Sequence, residues 1–350
     1  MLHEFESFTW SAGIDTASTL RWSTMSKRQL LIPAASFERV EQRLSVFSSE
    51  IDAILWSSNG LTAPDGSSIE PSEFKPEIGW IPIDVLFSGE FLAFVDSLLE
   101  PGSLKWVQSC LAGADAPPLQ RILNSGIRLS NSDSPNAGVA EYVMSAILNV
   151  VHEWPKRRDA QWNKEWVQEG WSEINKQTWL IIGFGSIGGE LAKRARPFGV
   201  HIIGARRTQV SDERADQMVS MEEVFEVLPS ADVVIIACPL TNETKGLVDR
   251  NFLSHMNRNS LLVNVARGPV VNTSDLLHML DSKELAGAIL DVFDVEPLET
   301  ASPLWDHEKI TLTSHIAGAG SGITMRGDDV FIEQLGAYLA GRKLRLEISA

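Results

Sequence analysis

The feature that most constrains this chain is a glycine loop set between a strand and a helix. Trp179-Leu180-Ile181-Ile182 is a short apolar run, and Gly183-Phe184-Gly185-Ser186-Ile187-Gly188 follows it directly. A helical pattern over 190–196 and a second strand-like run over 200–204 come next. That order of elements is the opening of a dinucleotide-binding βαβ unit. In it Gly183 permits the tight turn, Gly185 lets backbone approach a diphosphate, and Gly188 lets helix pack on strand. The first turn, with Ser186 and Ile187, offers unpaired N–H groups at the positive end of the helix dipole. Glycine-rich turns without a ligand share the spacing, but not this context.

The end of the second strand bears on which dinucleotide binds. A carboxylate there would accept both ribose hydroxyls of NAD(H). The sequence has Ala205-Arg206-Arg207-Thr208 instead. Two guanidiniums and a hydroxyl suit a 2′-phosphate, so NADP(H) is the expected cofactor and NAD(H) the alternative.

The loop lies inside a long alternating series. Strand-like runs at 178–183, 200–205, 232–237, 260–265, 286–291 and 309–313 are separated by helical patterns, which predicts an α/β, Rossmann-type doubly wound parallel sheet. Shorter runs precede it at 29–33, 51–56, 84–87, 104–108 and 126–129, with helical spacing at 90–99 and 117–123. The polar stretch 57–77 reads as a loop or insertion. Ser134-Pro135 is expected to open a long helix, with Ser134 as cap, that Trp154-Pro155 closes. A polar connection over 156–176 should follow, then a last helix over 321–339 and a returning strand within 343–348. Residues 1–27 show no clean periodicity and read as an extension.

At 350 residues the chain exceeds the usual size of one core, so two domains are expected. The balance of 30 basic against 46 acidic residues, −16 in all, argues against nucleic-acid or anionic-membrane partners. No window is long and apolar enough for a membrane span, and the first residues lack the pattern of a signal peptide. Two cysteines, Cys110 and Cys238, suit a reducing compartment, so a cytoplasmic protein is expected. No metal-ligand or serine-hydrolase motif occurs.

Three charged residues fall just after strands of the second series: Arg267, Glu296 and His315. Ligands of open α/β sheets bind beyond the carboxyl ends of strands, so the three could share one cleft. Singly, each has a plain alternative: a salt-bridge partner, a solvated acid, a core histidine. Together beside a dinucleotide site they supply a cation, an acid–base partner and a proton donor.

These segments, the run Ala237-Cys238-Pro239-Leu240-Thr241-Asn242-Glu243-Thr244 and the glycine loop resemble the D-isomer-specific 2-hydroxyacid dehydrogenases. The resemblance is close over about 105–318, weaker over 29–103 and in the final helix, and absent over the first 27 residues. It implies a cofactor domain at 135–318 inserted into a flavodoxin-like α/β substrate domain at 28–134 and 319–350. It also implies reduction of a small 2-oxo acid of the glyoxylate or hydroxypyruvate kind, acting on the CH–OH group in reverse, by a homodimer. Here His315 would give the proton, Glu296 would fix its tautomer and favour the imidazolium, and Arg267 would hold the carboxylate and polarise the carbonyl. Ala112 and Gly113 match a loop whose N–H groups take the substrate carboxylate, and Asp291 matches a residue on the nicotinamide carboxamide. Cys238, Pro239, Thr244, Val265, Ala266 and Gly318 match the rest of the cofactor rim, with Cys238 not expected to be a nucleophile. Ser314 stands where many members have proline, and Arg206 where many have an acid. Reduction of bulkier 2-oxo acids, or a dinucleotide-sensing corepressor or scaffold on the same fold, are the competing functions.

Overall fold

The computed structural model describes residues 26–208 and 211–348, so all but the last two residues of the expected extension lie outside the described part. The chain builds two α/β domains on two sheets. The first sheet takes β1 (Arg28–Pro33), β2 (Ile51–Ser57), β3 (Gly60–Thr62), β4 (Ile78–Ile81), β5 (Trp106–Ser109) and β6 (Arg128–Ser130). The second takes β7 (Thr178–Ile182), β8 (His201–Arg206), β9 (Gln217–Ser220), β10 (Val233–Ile236), β11 (Leu261–Asn264), β12 (Gly287–Leu290) and β13 (Ile310–Leu312). The chain then returns to the first sheet as β14 (Glu347–Ile348), antiparallel to β6.

Strand order in the first sheet is β14-β6-β5-β4-β1-β2-β3. Its parallel centre, β2-β1-β4-β5-β6, is the flavodoxin arrangement. The second sheet runs β13-β12-β11-β10-β7-β8-β9, all parallel, the Rossmann order with one strand added. Strand order reverses between β7 and β10, which opens a crevice at their C-terminal ends.

The apolar runs are continuous because both faces of the second sheet are covered. Trp179, Ile181 and Leu191 pack with Val143 and Ile147 of the helix Asn136–Val151 on one side. Leu180, Ile236 and Leu262 pack with Phe252, Leu276 and Leu280 on the other. The closing helix Ile323–Leu339 joins the first sheet instead: Phe331 stacks on Trp80 at 4.2 Å and Tyr338 on Trp106 at 4.8 Å.

Several expected elements need correction. Residues 84–87 belong to a short helix, Ile83–Phe87, entered from the extended Pro82; the strand is the preceding β4, buried between β1 and β5. The stretch 57–77 contains β3, and β9 has no counterpart in the expected series. Ser134 does not cap the long helix, whose N-cap position is Pro135 with no side-chain cap. Trp154-Pro155 opens a new helix, Trp154–Asn163, because proline fits a first turn; the break is Glu153, at φ 53°. Part of the expected connection is therefore helical.

Candidate active site

The glycine loop is shaped by close approaches. Gly183 sits at φ 85°, and a Cβ there would run into the backbone of Cys238. A Cβ at Gly188 would lie 3.0 Å from the Phe184 ring and 3.2 Å from Ile181, so helix and strand meet across it. Gly185 is the N-cap of the helix Ser186–Ala195 and has only the Gly183 carbonyl within 4 Å of its Cβ position. No side chain caps that helix. Open space above Gly185 and uncapped N–H groups fit a dinucleotide diphosphate.

At the end of β8, Arg206 Nε donates to the Phe184 carbonyl, and its Nη2 donates to Asp212 Oδ2 at 2.6 Å. Arg207 and Thr208 are exposed beyond it. On the facing rim Cys238 is buried, which pushes its thiol up to about 11. Thr244 Oγ1 donates to the Pro239 carbonyl at 2.6 Å and accepts from Thr241 N, so it braces the rim.

Asn264 prepares the turn after β11. Its side chain accepts from Ala266 N and donates to the Arg267 carbonyl, at 3.1 and 3.0 Å. Val265 and Ala266 are buried there. Gly268 lies so close to the Phe293 carbonyl that no side chain fits, which draws the Arg267 and Glu296 segments together. Glu296 Oε1 accepts from Phe293 N at 2.9 Å, leaving Oε2 to meet His315 Nδ1 at 2.7 Å. His315 is held at φ 54° by its N–H to the Asp291 carbonyl, 2.7 Å.

Asp291 has a role that sequence reasoning missed. Its buried carboxylate accepts from Ile316 N and Ala317 N, each at 2.9 Å, and from Thr313 Oγ1 at 2.5 Å. Tyr142 bonds the same Thr313 hydroxyl at 2.7 Å. Asp291 thus anchors the histidine loop. Gly318, at the end of that loop, packs against Pro135.

Arg267 faces the first sheet's loop 112–115 across a cleft of about 720 Å³. The cleft is lined by Ala112 and Gly113 on one side and by Ile187, Cys238, Pro239, Val265 and Ala266 on the other. Arg267 Nε and Nη2 donate to the two Asp115 oxygens at 2.7 and 2.8 Å, a bidentate pair, and Nη1 donates to the Ala266 carbonyl. A Cβ at Gly113 would lie 2.6 Å from Arg267 Nη2 and 2.7 Å from Asp115 Oδ1. The hydrogen bonds from Arg267 hold the Asp115 carboxyl below its ordinary range, with His315 adding to the effect. Arg267 is raised in turn, first by Asp115 and then by Glu296. Asp115 is a partner that the sequence does not reveal, because no local signal links it to an arginine 152 residues away.

A doubly wound domain with a glycine loop, and an Arg–Glu–His set facing loop 112–115 of the first domain, has the layout of a dinucleotide-dependent oxidoreductase. The sequence profile of the D-isomer specific 2-hydroxyacid dehydrogenase NAD binding domain matches residues 144–317. A glyoxylate reductase of Pyrococcus horikoshii is 34% identical over 251 residues, 68% of this chain and 74% of the relative. An uncharacterized protein of Corynebacterium melassecola is 31% identical over 274 residues, 75% of this chain and 87% of that one. A D-isomer specific 2-hydroxyacid dehydrogenase family protein of Aeromonas salmonicida has the same fold: TM-score 0.73 at 24% identity, covering 93% and 99% of the two chains. The chain belongs to the D-isomer-specific 2-hydroxyacid dehydrogenase family and is an oxidoreductase acting on CH–OH donors. Among the described residues no helix is long and apolar enough to cross a membrane.

Proposed function

We propose that the protein is an NADP(H)-preferring reductase of small 2-oxo acids such as glyoxylate or hydroxypyruvate. The observation that carries this reading is the Glu296–His315 pair at 2.7 Å, in electrostatic reach of Arg267 and Asp115 at the interdomain cleft. In it residues 28–134 and 319–350 form the substrate domain and 135–318 the cofactor domain. When bound, the nicotinamide dinucleotide supplies the hydride. Gly183, Gly185, Ser186, Ile187 and Gly188 cradle its diphosphate, and Arg206, Arg207 and Thr208 take its 2′-phosphate. Cys238, Pro239, Thr244, Val265, Ala266, Asp291 and Gly318 complete the rim.

Glu296 accepts a hydrogen bond from Nδ1–H of His315 and leaves Nε2–H to deliver a proton to the carbonyl oxygen. Arg267 takes the substrate carboxylate and polarises the carbonyl, and the N–H groups of Ala112 and Gly113 hold the carboxylate from the other side. Glyoxylate reductases among the relatives support the substrate class. A panel of 2-oxo acids with NADPH and NADH, followed by loss of absorbance, tests both parts. Turnover of glyoxylate or hydroxypyruvate with higher kcat/KM for NADPH is expected. Equal or better kcat/KM with NADH removes the cofactor preference, and no turnover of either acid removes the substrate reading.

We also infer a homodimer that works in the cytoplasm, where buried, unpaired Cys110 and Cys238 would stay reduced. The dimer reading rests on apolar surface beside the helix Asn136–Val151, where Trp162 and Trp166 are 86% and 90% exposed and Trp154 and Trp171 more than half. Light scattering should give twice the monomer mass; a monomer at working concentration would contradict it.

A further inference from the structure

The end of β8 holds more than the two arginines legible in the sequence. Arg206 Nη2 and Arg214 Nη2 both donate to one oxygen of Asp212, each at 2.6 Å, and Arg214 Nε donates to the other at 2.8 Å. Both guanidinium carbons lie 5.7 Å from the centre of the Phe184 ring, inside the glycine loop. Arg214 occupies the space left by the missing side chain of Gly189, in the helix that follows that loop. The fork of Arg214 and one arm of Arg206 therefore converge on one anion beside the first βα turn, where a dinucleotide's adenosine ribose lies. The anion is well shielded, with the Asp212 side chain 10% exposed, and hydrogen bonds from Arg214 hold its carboxyl down at about 2.

We propose that Arg214 is the second arm of the 2′-phosphate site and that Asp212 is the resident counter-anion which the phosphate displaces. This rests on the NADP(H) reading above. A phosphate dianion presents three acceptor oxygens to the same two forks, more than one carboxylate can. Arg207 stands adjacent, while Glu190 and Glu213 act on Arg214 and Glu243 on Arg207, so the convergence of guanidinium donors on one point, rather than an excess of positive charge, favours an incoming dianion. Asp212 keeps the forks oriented but competes for them. It sets how strongly the 2′-phosphate is preferred, and neither Asp212 nor Arg214 lies in the Ala205–Thr208 run.

Calorimetric binding of adenosine 2′,5′-bisphosphate and adenosine 5′-monophosphate tests this without turnover, because the two probes differ only in the 2′-phosphate. The wild type should bind the bisphosphate at least about tenfold more tightly, as expected for new charge-assisted hydrogen bonds. Arg214→Gln should cut that ratio about tenfold and leave the monophosphate affinity within about twofold. Arg214→Lys, which keeps the charge without the fork, should fall between and serves if the glutamine variant does not fold. Asp212→Asn should raise the ratio several-fold. A wild type that does not distinguish the probes overturns the NADP(H) reading and this inference with it. A wild-type preference that Arg206→Gln abolishes and the Arg214 variants leave intact overturns the role of Arg214 alone. An unchanged or lowered ratio in Asp212→Asn overturns its role as competitor.

Discussion

Arg206 closes β8 and Arg267 stands just beyond β11 of the same sheet, and each gives its guanidinium to a carboxylate of the chain. They differ in where that carboxylate comes from. Asp212 is six residues from Arg206 and belongs to the same sheet's surroundings. Asp115 is 152 residues from Arg267 and comes from the loop beyond the first sheet. A local pair forms whenever its own domain folds. The distant pair exists only while the two domains face each other across the cleft. Changes at Arg206 should therefore register in cofactor choice, and changes at Arg267 in substrate handling and cleft geometry.

The largest effect expected from this contrast is at Arg267. Arg267→Ala should lower kcat/KM for 2-oxo acids by about 10²–10³, the usual cost of losing a charge-stabilising donor. NADPH affinity, measured by fluorescence titration, should hardly move. A loss shared equally by cofactor and substrate would erase the distinction between the two arginines. Gly113→Ala sharpens the contrast from the other side of the cleft. The added methyl would meet Arg267 Nη2 and Asp115 Oδ1 at 2.6 and 2.7 Å, so one must shift. KM for the 2-oxo acid should rise about tenfold with little change in Tm, since the strain falls on a half-buried and an exposed side chain at the cleft rather than on the core. An unchanged KM would mean that the pair yields freely.

Acid unfolding gives a smaller effect. Both carboxylates have folded pKa values below the ordinary 3.8. Their stabilisation is complete above that value and is lost as pH falls through the folded one, for Asp212 between 3.8 and about 2. Asp212→Asn should thus flatten the fall of Tm below pH 4, and Asp115→Asn should do so less, because that pair is more exposed. The reverse order would contradict the shielding of the local pair. The smallest effect concerns Cys238. With its thiol raised to about 11, roughly one molecule in a thousand carries the thiolate at pH 8. Iodoacetamide should label it negligibly at pH 8 and increasingly above pH 10. Rapid labelling at neutral pH would mark an activated thiol instead.

The same contrast explains what was legible in the sequence. The cofactor domain announces itself because its strands are buried on both faces and its glycines are dictated by backbone contact, as Gly183 is by Cys238. Arg267, Glu296 and His315 could be placed because each follows a strand of one parallel sheet. The partners that tune them could not. Asp115 reaches Arg267 only through domain packing, and no periodicity in the sequence marks Asp212, which meets Arg206, or Arg214, which meets Asp212. Asp291 reads like a cofactor ligand, and nothing in the sequence signals that its oxygens also hold Thr313, Ile316 and Ala317 in the loop that presents His315. The misplaced strand at 84–87 has a similar origin. Ile83–Phe87 is apolar enough for either element, and only the pairing of β4 between β1 and β5 decides.

The role of His315 is tested most directly by single turnover of His315→Gln with saturating NADPH and glyoxylate, alongside NADPH binding. Glutamine keeps a polar side chain of similar reach but delivers no proton. The rate should fall by the ~10²–10⁴ typical of lost general acid catalysis, with NADPH affinity and the folded state preserved. Glu296→Gln, which removes only the carboxylate beside Nδ1, should retain measurable turnover. A near-normal rate in folded His315→Gln would mean that the proton comes from elsewhere, and would contradict the assignment of the Glu296–His315 pair as the catalytic centre.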